Sequence, residues 1–148
     1  MGEQVRAADK TMHDMTSRKR LGGERILLVG DEEHVRGILS MSLVEIGGAT
    51  VVEAENGAQA LEPYQAGRFT CVVTHLSMPE MRGDEMARKI RAMSASQRIV
   101  MLSGFAGEVL QNGRLPEFID LLLSKPCSLE EMMNAIQPPA GNQGAPQT

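Results

Sequence analysis

The sequence has few cysteines, no long apolar run and no excess of positive charge. Its two cysteines, Cys71 and Cys127, do not form a disulfide framework, so both are expected to be reduced, packed thiols in a reducing cytosol. No apolar run approaches the ~18 residues that span a bilayer, and the polar N-terminus lacks the apolar region of a signal peptide. A net charge of -4 and a pI near 5.4 give no general reason for nucleic-acid binding. These absences indicate a cytoplasmic protein without a membrane or nucleic-acid partner.

The composition suits a single globular domain with polar tails. A chain of 148 residues, 42% of them hydrophobic, is long enough for one core and too short for two ordinary domains. Residues 1–24 are polar with mixed charges, and residues 138–148 are rich in Pro, Gly and Gln, so we expect both tails to be disordered. The basic run Ser17–Arg20 is interpreted as a solvated part of the first tail, with contact to an acidic partner as the alternative. The domain is therefore expected over residues 25–137.

Apolar strand candidates alternate with helix candidates along this domain. The strand candidates are ILLV at 26–29, ATVVEA at 49–54, TCVVT at 70–74, IVML at 99–102 and LLL at 121–123. Because strands that alternate with helices need right-handed crossovers, the pattern predicts a doubly wound parallel sheet with helices on both faces. The carboxyl ends of such strands form the usual site. Asp31, His75, Ser103 and Lys125 each follow a strand candidate and are expected to converge there.

The helix candidates differ in strength. In the first, Val35, Ile38, Leu39, Ser42, Leu43 and Ile46 keep helical spacing up to Gly47 and Gly48. The second opens at Asn56 and should be short or kinked because of Pro63. The third contains Met86, Ile90 and Met93, and a loosely patterned fourth lies between Phe105 and Asn112. Ser128 and Glu131 make a capping box for the last, which places Leu129, Met132, Met133 and Ile136 on one face.

Four segments, in a fixed order and spacing, carry a family resemblance. They are RILLVGDEEHV, VVTHLSMPEMRG, IVMLSGF and LLLSKP. From about Glu24 to Ile136 the chain resembles the receiver domain of bacterial two-component response regulators, and the stretch LSGFAGEVLQNGRLPEFIDLLLSKP looks like receivers fused to hybrid histidine kinases. The resemblance implies an α/β, flavodoxin-like (βα)5 sandwich with a five-stranded parallel sheet in the order 2-1-3-4-5.

The resemblance also implies roles for individual residues. In the family, an aspartate after the third strand accepts phosphate, and Mg²⁺ is held by that aspartate and an acidic pair after the first strand. By resemblance, Lys125 matches the lysine that pairs with the phosphoryl oxygens, and Ser103 matches the hydroxyl that hydrogen-bonds one of them. Asp31 matches the second member of the acidic pair, and Ser77 would supply a backbone carbonyl to the metal.

Three positions depart from the family pattern. His75 stands at the phosphoacceptor position, Gly30 replaces the first acidic ligand, and Leu122 stands where many receivers carry a Phe or Tyr. One carboxylate, Asp31, then faces one lysine, so the pocket can be neutral without a metal. We therefore expect Mg²⁺ to bind weakly, if at all, and no other cofactor to bind. If His75 becomes protonated beside Asp31, the two side chains could form an ion pair in the space that the metal normally fills.

These departures predict a pseudo-receiver that acts through a protein partner, independently of aspartyl phosphorylation, and that is not an enzyme. The expected partners are a histidine kinase or another two-component protein, with a homodimer through the fourth helix, fifth strand and fifth helix (Phe105 to Leu115 and Ser128 to Gln137) as a further possibility. Three alternatives stay open: phosphotransfer through His75 or another side chain, an aspartate receiver silenced by an engineered substitution, and an adaptor that sequesters a kinase. A zinc or iron site at Glu32, His34 and His75 is disfavoured, because no HxH, HxxxH or CxxC spacing fixes ligands.

Overall fold

The computed structural model describes residues 20–76, 78–104, 118–125 and 127–137. These residues form five strands and four helices. They are β1 (Arg25–Val29), α1 (Glu33–Glu45), β2 (Thr50–Ala54), α2 (Gly57–Ala66), β3 (Cys71–His75), α3 (Gly83–Met93), β4 (Arg98–Ser103), β5 (Leu121–Ser124) and α4 (Leu129–Ile136). The helix expected between Phe105 and Asn112 lies outside the described residues.

The strands form one parallel sheet in the order β2-β1-β3-β4-β5, which confirms the expected order 2-1-3-4-5. Burial follows position in the sheet: every residue of the central β3 is buried, whereas the edge strands β2 and β5 are largely half-buried or exposed. Continuous apolar runs such as LLV in β1 suit strands that are covered on both faces.

Side chains of successive strand residues enter two separate cores. Leu27 and Val29 of β1 pack with Ala60 of α2 and Ile90 of α3 on one face of the sheet. Ile26 and Leu28 pack with Leu43 of α1 and Met132 of α4 on the other. This division follows from the two-residue period of a strand, and it confirms the doubly wound arrangement.

The folded domain begins before Arg25, so the tail boundary expected at residue 24 is several residues late. Leu21 is fully buried in the core beneath α1 and α4. Its amide donates to the carbonyl of Gly47 over 2.8 Å. Arg20, the last residue of the basic run, donates to the Asn134 side chain and to the Gln137 carbonyl, so it is not simply solvated. A single buried leucine in a polar stretch has no periodicity, which is why composition placed it in the tail.

Helix α1 does not bury all the apolar residues that share its helical spacing. Leu43 and, unexpectedly, Arg36 are its buried residues. Ile38 is 64% exposed and Ile46 is 45% exposed, and Met41 and Val44 are exposed as well. The outward side of α1 therefore carries an apolar stripe, defined here as Ile38, Met41 and Val44.

The other helices follow their sequence signals. Helix α2 begins after Asn56, whose side chain accepts from the amide of Gln59, and it continues through Pro63 to Ala66. The capping box of α4 is confirmed: Ser128 accepts from the amide of Glu131, and the Glu131 carboxylate accepts from the amide of Ser128. Cys71 and Cys127 are free thiols. Within the described ranges, no helix has the length and apolarity needed to cross a bilayer.

Candidate functional site

Four of the sequence-predicted residues lie at the carboxyl edge of the sheet: Asp31, His75, Ser103 and Lys125. Their positions differ in one respect from the expected strand ends. His75 and Ser103 are the last residues of β3 and β4 and do not follow them, because the pairing runs on to His75 beside Leu102 and Ser103 beside Ser124. The amide of Lys125 donates to the carbonyl of Ser103 over 2.9 Å, which fixes the lysine next to the end of β4.

His75 and Lys125 are in direct contact. The Lys125 Nζ atom lies 3.1 Å from Nδ1 of His75. His75 is only 6% exposed. Because an ammonium group only donates, Nδ1 is the acceptor, and the proton of the neutral ring is on Nε2. Burial and then the positive charge of Lys125 lower the pKa of His75 to about 4, against the opposite influence of the Asp31 carboxylate. The imidazole is therefore neutral at pH 7.

Gly30 makes room for this imidazole. A Cβ atom at position 30 would lie 2.7 Å from Cδ2 and 3.1 Å from Nε2 of His75. Real Cβ atoms essentially never approach another heavy atom to 2.7 Å, so any side chain at position 30 would force the ring to move. The imidazole thus occupies the space in front of Gly30, and the two residues that depart from the family pattern fit each other.

Arg36 holds the backbone of the same turn, a role that the sequence analysis missed. Its guanidinium donates to the carbonyl of Gly30 over 2.6 Å and to the Glu53 carboxylate over 2.9 Å. The Arg36 side chain is 10% exposed and that of Glu53 is 39% exposed. One signal was available in the sequence, since Arg36 precedes Leu43 by seven residues and so shares the buried face of α1.

The N-terminus of α3 fixes the other side of His75. The Thr74 hydroxyl donates to the carbonyl of His75 over 2.9 Å, and the amide of Gly83 donates to the carbonyl of Leu76 over 2.9 Å. A Cβ on Gly83 would lie 2.2 Å from the carbonyl oxygen of His75, so only glycine permits this approach. The backbone of the acceptor position is thereby held between β3 and α3.

The ion pair that a protonated His75 could form with Asp31 is not present. No nitrogen of His75 lies within 4 Å of a carboxylate in the part of the chain that the structure describes, and its Nδ1 faces Lys125. The physical reason is that burial and the lysine both oppose protonation of the ring. Asp31 itself is exposed at the start of the turn.

Among the described residues, no group of three or more His, Cys, Asp or Glu side chains could hold a metal ion, and His34 is exposed on α1. The possible metal ligand Ser77 lies outside those residues. Leu122, at the position of the family's Phe or Tyr, is half-buried against the core beneath α2 and α3.

Comparisons with known proteins find relatives of this chain in sequence and in fold. The family model of the response regulator receiver domain matches residues 26–137. The response regulator receiver protein CpdR of Brucella abortus is 34% identical over 114 residues, which cover 77% of this chain and 94% of CpdR. The chemotaxis protein CheY of Bacillus subtilis is 32% identical over 112 residues, covering 76% and 93%. The crystal structure of the response regulator TrrA from Thermotoga maritima, in complex with Mg²⁺-BeF, superposes with a TM-score of 0.70 at 27% identity, covering 77% and 96%.

Proposed function

This chain belongs to the response regulator receiver family, and on that premise we propose that it is a pseudo-receiver, which regulates a protein partner without a phosphorylation-driven switch. One observation carries the proposal: the neutral, buried imidazole of His75 fills the space in front of Gly30. In a phosphorylated receiver, the acceptor carboxylate and the first acidic ligand lie at these two positions and share a Mg²⁺ ion.

The charges of the site support weak Mg²⁺ binding. Mg²⁺ demands several oxygen ligands in near-octahedral geometry, and Asp31 is the carboxylate left at the three family positions. Lys125 holds a positive charge beside the neutral His75, which disfavours a divalent cation there. The donor set of this site therefore fits Mg²⁺ poorly, and no step of the proposed function depends on a metal.

The geometry also argues against phosphotransfer through His75. The Nδ1 atom of His75 accepts a hydrogen bond from Lys125. The Nε2 atom faces Gly30, and the residue as a whole is buried. A nucleophile needs a free lone pair in line with the phosphoryl group, and the transition state needs a positive charge next to the negatively charged oxygens that the metal normally contacts. We therefore expect no stable phosphohistidine.

Intact mass after incubation with phosphoramidate and Mg²⁺, measured at neutral pH to preserve any phosphohistidine, tests this part of the proposal. We expect no mass gain for the wild-type protein. The double variant Gly30→Asp/His75→Asp restores both carboxylates and should gain one phosphoryl group, while His75→Asp alone should gain much less. A gain by the wild-type protein that is lost in His75→Ala would show that the site still performs phosphoryl transfer. A micromolar Mg²⁺ dissociation constant for the wild-type protein, by isothermal titration calorimetry, would contradict the charge argument.

The apolar stripe on α1 supports a protein partner. Its three residues, Ile38, Met41 and Val44, are 64%, 61% and 42% exposed. Exposed Glu33 and Glu45 lie at the two ends of the same helix. This surface suits a partner helix with an apolar face flanked by basic residues. Receivers act with histidine kinases and other two-component proteins, so a kinase helix is the partner that we propose.

A binding assay on this surface separates a kinase partner from self-association. Histidine kinases whose phosphorylated histidine has been replaced should still retain the wild-type protein in a pull-down. Met41→Glu should lose this retention, because it places a charge in the apolar stripe. Met93→Glu is the matched control, since Met93 is 45% exposed on α3. Sedimentation of the protein alone tests the homodimer. If the wild type and Met41→Glu both sediment as dimers, and the kinases do not retain the wild-type protein, the homodimer surface that includes Ser128 to Gln137 is favoured.

A further inference from the structure

An apolar groove opens beside the site, between α1 and α4. Its volume is about 540 Å³, within the range of roughly 300–1,000 Å³ that is typical of small-molecule sites. Val35, Ile38 and Leu39 of α1 form one wall. Leu102, Cys127 and Met132 are the other apolar lining residues.

The polar end of the groove is positively charged. Lys125 and His75 are its polar lining residues. The Lys125 ammonium has three N–H donors, and no carboxylate within the described ranges lies within 4 Å of it. In an ordinary receiver this lysine faces the acceptor carboxylate, whereas here its Nζ atom contacts the His75 ring. An anionic ligand would supply the carboxylate that this lysine lacks among the described residues.

We propose that this groove binds a small amphipathic anion, a molecule with an apolar chain and one carboxylate. The apolar chain would lie along the α1 wall and against Met132, and the carboxylate would accept hydrogen bonds from Lys125. Asp31 is exposed near the same edge, and its negative charge disfavours a second carboxylate at this end of the groove. This inference goes beyond the proposed function, because it concerns a small molecule and not a protein partner.

Octanoate and 1-octanol are matched probes, because they share an apolar chain and differ in charge. We expect isothermal titration calorimetry to give saturable octanoate binding, with octanol about fivefold weaker, as expected for one partly exposed ion pair. Lys125→Met should weaken octanoate about fivefold and leave octanol unchanged. Lys89→Met, on α3 and away from the groove, should change neither affinity.

A second variant and a spectrum keep the test specific to the groove. Ile38→Ser removes part of one wall without touching the core, since Ile38 is 64% exposed, and it should weaken both probes. In ¹H–¹⁵N NMR spectra, octanoate should shift the amide signals of groove residues such as Leu39 and Cys127. The proposal is overturned if octanoate does not bind saturably below its micelle concentration, if both probes bind equally well, if Lys125→Met binds octanoate like the wild type, or if the shifted signals lie elsewhere.

Discussion

The contact between Gly30 and His75 predicts a strong dependence of one residue on the other. Gly30 does not have a positive φ, so alanine is conformationally allowed there and its cost is purely steric. The new methyl group would meet the imidazole at 2.7 Å. Overpacking of this kind costs about 1–3 kcal/mol, and tilting the ring away would also sacrifice the contact with Lys125, worth about 1 kcal/mol. We expect Gly30→Ala to lower the free energy of unfolding by about 2 kcal/mol.

A double-mutant cycle tests whether the cost comes from this contact. In the background His75→Ala, Gly30→Ala should cost nothing, or stabilise by about 0.4–1 kcal/mol through the restricted unfolded chain, so the coupling should be about 2–3 kcal/mol. Urea denaturation followed by far-UV circular dichroism measures all four proteins. Gly37→Ala is the control, because a Cβ there meets nothing within 4 Å and should stabilise α1. Equal costs of Gly30→Ala in both backgrounds would refute the reasoning.

Three further predictions concern stability. Arg36→Met should lower the free energy of unfolding by about 2–3 kcal/mol, because it leaves a buried carbonyl without its charged donor, whereas Arg82→Met, which breaks an exposed pair, should cost less than about 0.5 kcal/mol in the same urea assay. Below pH 6.5 the unfolded chain takes up a proton on His75, whereas the folded chain accepts that proton only near its pKa of about 4. The free energy of unfolding should therefore fall by up to about 3 kcal/mol as the pH drops from 6.5 to 4. The variant His75→Gln should lack this part of the pH dependence. Leu21→Ala should cost about 2–4 kcal/mol by leaving a cavity beneath α1 and α4, and a near-zero change would return residue 21 to the tail.

Local signals in the sequence were enough for most of the fold. Apolar runs located the strands, because parallel strands buried on both faces need few polar residues. The capping box at Ser128 located the start of α4 before any tertiary contact was known. The strand order could not be predicted from local signals, because no periodicity specifies which strands are neighbours. It came only from the family resemblance.

The site was predictable as a set of positions but not as a set of contacts. Strand ends placed His75 and Lys125 at one edge, yet their hydrogen bond joins residues 50 positions apart. The buried Arg36 and Leu21 depend on partners from β2, α1 and α4, which only the folded chain brings together. The choice between Asp31 and Lys125 as the neighbour of His75 likewise depends on ring orientation, about which residue spacing carries no information.

The fit of His75 against Gly30 means that an aspartate acceptor is difficult to introduce one residue at a time. An aspartate at position 75 alone leaves position 30 without a carboxylate, so the acceptor would lack part of its metal shell. Introducing an acid at position 30 alone forces a side chain into the imidazole. Each single substitution is therefore unproductive or harmful, and only the pair supplies both carboxylates. In mutational terms, the effect of a change at either position depends on the residue at the other.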